Sequence, residues 1–196
     1  GVWTKRIAPI DYERCEKNSI VFMGHLLEKQ GVQEVIKLLP SLLKKEGLLK
    51  FYIIGKGTYR RELINLSSKL GVYNNCEFLD NIDNDKDIEL EEIIAKCCVA
   101  VAPYVKDLDR WTYYADPGKL KKYIACGVPV VMSDISWNAK EIEQKGCGFL
   151  VNDDFSDLEE KILLAMQPSQ NTKMRKNCIE YAKTFDYEVI FESLKI

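Results

Sequence analysis

The chain has 196 residues, of which 46% are hydrophobic and 30% charged, with a formal net charge of −2. Such a composition describes a globular protein with a sizeable core and excludes a disordered or fibrous chain. The charge balance gives no global attraction to nucleic acid or to an anionic membrane, no apolar run approaches the roughly 20 residues of a membrane span, and no signal-peptide pattern opens the chain.

Taken in order, residues 1–18 carry no regular pattern and read as an irregular linker, and residues 19–196 as one domain. Short β-branched runs near 19–23, 50–54, 76–79, 99–102, 128–132 and 149–151 have the composition of buried strands. Helical patterns occupy 32–45, 58–70, 88–96, 117–126, 138–145, 156–166, 172–184 and 187–194, with closing helices from about 172 and a bend at 184–187. Pro40 is expected to kink the first helix or mark its last third, because proline removes an internal hydrogen bond. The alternation predicts an α/β fold, a Rossmann-like, doubly wound parallel sheet of about six strands flanked by helices. The seven cysteines, Cys15, Cys76, Cys97, Cys98, Cys126, Cys147 and Cys178, form no Cys-x-x-Cys pair and no zinc spacing. They read as small hydrophobes in a reducing, cytoplasmic setting.

Ligands of a doubly wound sheet bind beyond the carboxyl ends of its strands, and the unusual residues of this chain fall there. Gly24-His25 follows the first strand, Gly55-Lys56-Gly57 the second and Pro103-Tyr104 the fourth. The most informative segment runs from Asp116 to Ser133, Asp-Pro-Gly-Lys-Leu-Lys-Lys-Tyr-Ile-Ala-Cys-Gly-Val-Pro-Val-Val-Met-Ser. Asp116 suits an N-cap and Pro117 the first helical position, Gly118 leaves the backbone open to close approach, and Lys119 adds a cation in the same turn. A helix start with open amides and a lysine is an anion site suited to phosphate, although an ordinary αβ unit with a routine cap has the same pattern.

His25, the only histidine, is able to donate to a phosphate or a sugar, with Lys29 reaching the same anion; a surface or packing role is the alternative. Gly55-x-Gly57 is half of a nucleotide-type turn, because Arg60 and Arg61 stand where the dinucleotide fingerprint continues, and a plain tight turn looks alike. Lys56, Arg60 and Arg61 would give that loop a positive edge toward phosphate. Trp111, Tyr113 and Tyr114 would either cover a sugar or base or close a small core of their own. Lys122 sits where a ligand-facing residue is expected, or else on a solvated helix face. Asp80, Asp83, Asp85 and Asp87 lack the glycine and terminal glutamate of a calcium loop and read as solvated turn residues, so no metal site is expected.

Taken together, Val21-Phe-Met-Gly24-His-Leu, Gly31-Val32, Tyr52-Ile-Ile-Gly55-Lys-Gly57, Cys76-Glu-Phe-Leu, Val101-Ala-Pro103-Tyr104, Lys119, Tyr123-Ile-Ala-Cys-Gly127-Val-Pro129-Val-Val and Gly148-Phe-Leu-Val151 carry a resemblance. Over about residues 19–166 the chain resembles the C-terminal, nucleotide-sugar-binding domain of retaining glycosyltransferases with the GT-B fold, of the group 1, family 4-like kind. The Ala-x-Gly-x-Pro-Val-Val run with its upstream Pro-x-Lys is the specific part. The resemblance implies a UDP- or GDP-sugar donor whose diphosphate lies on the helix opened by Pro117 and Gly118, with no metal or other cofactor at that diphosphate. It implies transfer, with retention, to a glycan or a lipid-linked acceptor, in polysaccharide biosynthesis. It gives catalytic roles to His25, Lys119 and Asp116, and donor contacts to Gly24, Lys29, Gly55, Lys56, Gly57, Tyr104, Pro117, Gly118 and Lys122.

The chain departs from that family pattern in two places. Where members commonly carry an arginine after the first strand and a lysine before the next glycine, it has His25 and Gln30. The paired glutamates of many members align with Tyr114 and Lys122, so the usual ribose contact lacks its acid and Asp116 is the candidate substitute. An acceptor-binding domain precedes this one in the family; it is expected to be missing here, leaving a chain that binds nucleotide without turnover, and to be the route to any peripheral membrane contact. Two other readings stay open: a non-catalytic glycosyltransferase-like binding or scaffold subunit, and a sugar-nucleotide epimerase of the same architecture. A dehydrogenase is disfavoured by the incomplete dinucleotide fingerprint.

Overall fold

The computed structural model describes residues 1–80, 87–108 and 118–194. Its single sheet contains β1 (Glu16–Met23), β2 (Lys50–Ile54), β3 (Cys76–Leu79), β4 (Cys97–Ala102), β5 (Val130–Ser133) and β6 (Gly148–Val151). The six strands are all parallel, in the order β3-β2-β1-β4-β5-β6. The chain therefore winds from the middle of the sheet to one edge, returns, and winds to the other. The reversal lies between β1 and β4, where doubly wound sheets open a crevice.

Successive strand residues point to opposite faces, and helices cover both. Ile20, Phe22, Phe51, Ile53, Val99 and Val101 pack with α1 (Val32–Glu46), α2 (Arg60–Lys69) and α6 (Leu158–Met166). Val21, Ile54, Ala100, Ala102, Val130 and Met132 pack with α3 (Asp87–Lys96), α4 (Gly118–Ala125), α5 (Ala139–Gln144) and α7 (Pro168–Ala182). The last helix, α8 (Tyr187–Ser193), follows a bend at Asp186, whose side chain caps it by accepting from the Glu188 amide at 2.7 Å.

The expected elements are present, with shifts that have local causes. β5 begins at Val130 rather than 128, since Pro129 has no N–H and contributes only its carbonyl, to Ala100 at 2.8 Å. α7 starts at Pro168 rather than near 172, with the proline in the first turn, where a missing N–H costs nothing. α1 runs through Pro40 to Glu46 as one helix.

Residues 1–18, read as an irregular linker, are packed against the domain: Val2, Ile7, Tyr12 and Cys15 are buried, and β1 already begins at Glu16. The Val2 amide donates to Phe185 at 3.1 Å and its carbonyl accepts from Tyr187 at 2.9 Å. Buried Arg175 of α7 donates to the carbonyls of Ile10 (2.9 Å), Ala95 (3.3 Å) and Cys97, and to Oδ1 of Asn171 at 2.8 Å. All seven cysteines are free and buried, and burial pushes the Cys76 thiol up to about 12. No helix among the described residues is long and apolar enough to cross a membrane.

Candidate functional site

At the sheet reversal, α4 is fastened to the end of β1 by a tyrosine. Tyr123 is fully buried, and its hydroxyl accepts from the Met23 N–H at 2.6 Å and donates to the Met23 carbonyl at 3.3 Å. Lys119 lies four residues earlier on the same helix, a spacing that puts the two side chains on one face. Its ammonium sits 4.4 Å from the centre of the Phe22 ring and 4.5 Å from that of Tyr104, and it donates to Oε1 of Gln30. Aromatic faces favour a cation. Exclusion of water opposes it and dominates, bringing Lys119 down from 10.5 to about 7.

The glycines after β1 and β2 hold two loops in backbone contact. The Gly24 amide donates to Ile54 at 2.9 Å and the Leu26 amide to Lys56 at 2.8 Å. A Cβ on Gly55, whose φ is +140°, would lie 2.0 Å from the Gly24 carbonyl oxygen, and one on Gly57 would lie 2.1 Å from that of Leu26. Both glycines are thus required by the neighbouring loop, which accounts for the Gly-x-Gly pattern without any ligand.

These loops border a cleft of about 360 Å³ lined by Met23, Gly24, His25, Ile54, Gly55, Lys56 and Leu90. Its floor is apolar and its rim carries His25 and Lys56, both exposed. Gly24 joins the cleft to the start of α4, because a Cβ there would stand 3.5 Å from Nζ of Lys119. Among the described residues the helix start is open: a Cβ on Gly118 would meet nothing within 4 Å. A crevice with an apolar floor, the Lys56 ammonium and an imidazole at its rim, and a helix N-terminus beside it suits an anion attached to a flat, partly apolar group.

The structure thus brings Gly24, His25, Gly55, Lys56, Gly118 and Lys119 to one edge of the sheet. It gives other positions different duties. Tyr104 is buried beneath the Lys119 ammonium, and its carbonyl accepts from the Ser133 hydroxyl at 2.8 Å. Gly57 faces Leu26, as above. The Lys29 carbonyl accepts from Val105 at 3.0 Å, which ties the loop after β1 to the one after β4.

Lys122, expected to face a ligand, turns instead to α3, 2.8 Å from Asp87 and 3.3 Å from Glu91. Arg6 reaches the same two carboxylates at 3.0 and 2.7 Å. Lys122, chiefly, and Arg6 hold Asp87 below the ordinary carboxylate range. Arg60 pairs with Asp80, which takes its guanidinium at 2.6 Å above the Phe78 ring. Asp80 and Asp87 are thus ion-paired turn and helix-start residues. Asp83, Asp85, Trp111, Tyr113, Tyr114, Asp116 and Pro117 lie outside the described residues. Sequence reasoning missed Phe22 and Leu90, and took Gln30 only as an absent lysine. The aromatic that ends the inward face of β1 was the one available signal for Phe22.

A family model described as glycosyl transferases group 1 matches residues 10–185. No curated protein matches the chain. Among solved structures, WaaG, a glycosyltransferase involved in lipopolysaccharide biosynthesis, is 22% identical with a TM-score of 0.75, and the match covers 98% of this chain and 53% of that one. This chain therefore spans about half the length of WaaG. The C-terminal domain of the glycosyl transferase group 1 family protein LpcC from Francisella tularensis is 18% identical with a TM-score of 0.75, over 94% of this chain and 98% of that one. The pneumococcal O-GlcNAc transferase GtfA, solved with UDP and GlcNAc, is 17% identical with a TM-score of 0.78, over 95% of this chain and 36% of that one. At these identities the likeness speaks for the fold.

Proposed function

The chain belongs to the glycosyl transferases group 1 family, and from that premise we propose that it is the donor-binding domain of a retaining GT-B glycosyltransferase. The donor is a UDP- or GDP-linked sugar and the acceptor a glycan or a lipid-linked acceptor. One observation carries this reading. At the switch between β1 and β4, an ammonium held over two aromatic rings stands beside the open start of α4, next to an apolar-floored cleft.

In this reading the diphosphate rests on the amides of Gly118 and Lys119, with the Lys119 ammonium against its oxygens. The nucleoside extends over Met23, Ile54 and Leu90. Transfer breaks the bond between the sugar's anomeric carbon and the diphosphate, and negative charge grows on the departing oxygen. Amides already aimed at that point, with a cation already in place, stabilise the growing charge without reorganising. His25 and Lys56 at the rim would donate to the phosphates or the sugar, as would Asp116 accept from it. A preceding domain would supply the acceptor, in keeping with a chain that spans half of WaaG.

Titration calorimetry with UDP, GDP and their sugars tests the proposal. The reading expects saturable binding of at least one, weakened by about 1–3 kcal/mol in Lys119→Ala, the scale of a charge-assisted contact. Unchanged affinity in that variant removes Lys119 from the site. A second reading, a non-catalytic binding subunit, has one observation in its favour: Lys122, where the resemblance puts a ribose-binding glutamate, is a cation tied to Asp87 and Glu91. A pure scaffold would give no saturable heat with any of these nucleotides.

A further inference from the structure

Among the described residues the charge on Lys119 meets no opposite charge. Its hydrogen-bond acceptor is a neutral amide oxygen, that of Gln30, and its other close neighbours are the Phe22 and Tyr104 rings. Among the described residues it makes no ion pair, whereas Lys122, in the next turn, makes two. The titratable groups on the described elements around it do not alter this. At the end of β1 stands His25, beside Gln30 stands Lys29, and after β4 comes Tyr104. On α3, Asp87 and Glu91 are engaged by Lys122 and Arg6. On α4 itself Lys121 and Lys122 are cations, and the Tyr123 hydroxyl is engaged by Met23.

We infer that binding of a nucleoside diphosphate ester at this site is coupled to uptake of one proton from solvent onto Nζ of Lys119. The inference rests on reading the site as a diphosphate site. In the empty protein, exclusion of water brings Lys119 down to about 7, so near neutrality the amine and the ammonium coexist. An ester diphosphate brings two negative charges, which favour the ammonium and raise its pKa again. Below about pH 7 the ammonium is already formed and affinity is flat. Above it each binding event must also take a proton, so affinity falls toward about tenfold per pH unit until the bound-state pKa is passed.

UDP-glucose, UDP-N-acetylglucosamine and GDP-mannose are suitable probes, because their esterified diphosphates do not titrate in this window whereas the terminal phosphate of UDP does. Calorimetry from pH 6.5 to 9, in two buffers of different ionisation enthalpy, counts the protons taken up. The inference expects uptake rising from roughly a quarter of a proton at the acid end toward one per ligand near pH 8. Lys119→Arg should bind without uptake and with flat affinity, since a guanidinium stays charged throughout. His25→Gln should keep the uptake. The Cε shift of labelled lysine, followed with and without ligand, reads the same event without a variant.

Binding with buffer-independent heats and flat affinity overturns the inference and leaves the donor site standing. Uptake that survives Lys119→Arg, or disappears in His25→Gln, assigns the proton elsewhere and also overturns it. If no probe binds at any pH, the donor-site reading itself fails and the inference fails with it.

Discussion

Setting the half-buried Lys119 beside two aromatic rings places a cation where an anion can be met, and the same loss of water works against the fold. The unfolded chain gives this lysine its ordinary value of 10.5, and the fold lowers it to about 7. A lysine depressed in this way destabilises most below the folded value, where the native state must carry the charge, and the cost fades as pH rises toward the unfolded value. Lys119→Met should therefore raise unfolding free energy by about 1–3 kcal/mol at pH 6 and by distinctly less at pH 9, while nucleotide affinity drops. Denaturant unfolding at the two pH values checks this, and a loss of stability at pH 6 would contradict it. Lys119 was legible because its signal is local, a cation in the first turn of a helix after proline and glycine. Its partners Phe22, Gln30 and Tyr104 come from other segments of the chain, and only tertiary packing brings them together.

Among the elements, α4 matters most, because it carries Gly118 and Lys119 and is only eight residues long. Its position against β1 depends on the two hydrogen bonds between Tyr123 and Met23. Tyr123→Phe keeps the ring and leaves the Met23 N–H and carbonyl without this partner, a loss of about 1–3 kcal/mol in stability. It should weaken nucleotide binding as well, since Gly24 and Lys119 lose their common anchor; thermal unfolding and calorimetry on one sample measure both effects. Element positions were largely legible: β2 and β3 begin and end where the sequence reading placed them. Lys122 was not. Helical spacing placed it near a ligand, and Asp87 and Glu91, from a segment far away in sequence, hold it against α3. The Gly55 and Gly57 pattern was legible as a turn, but its reason, the backbone of the adjoining loop, is a contact between distant strands' ends.

Across the whole molecule, the doubly wound parallel sheet predicted from alternating strands and helices is observed, and its strand order fixes where the crevice opens. The packed N-terminal segment is the part that eluded sequence reasoning. Val2, Ile7, Tyr12 and Cys15 follow neither a helical nor a strand period, so their burial depends on α7, α8 and the start of β4 rather than on any local pattern. Family membership, strand order and the open corner at α4 converge on one physical claim, that a nucleoside diphosphate lies between the end of β1 and the start of α4. The most direct measurement is a crystal structure of the chain with a UDP- or GDP-linked sugar. The account predicts diphosphate oxygens within hydrogen-bonding distance of the Lys119 ammonium and of the Gly118 and Lys119 amides. A nucleotide bound elsewhere on the protein, with Lys119 still donating to Gln30 over an empty helix start, would contradict it.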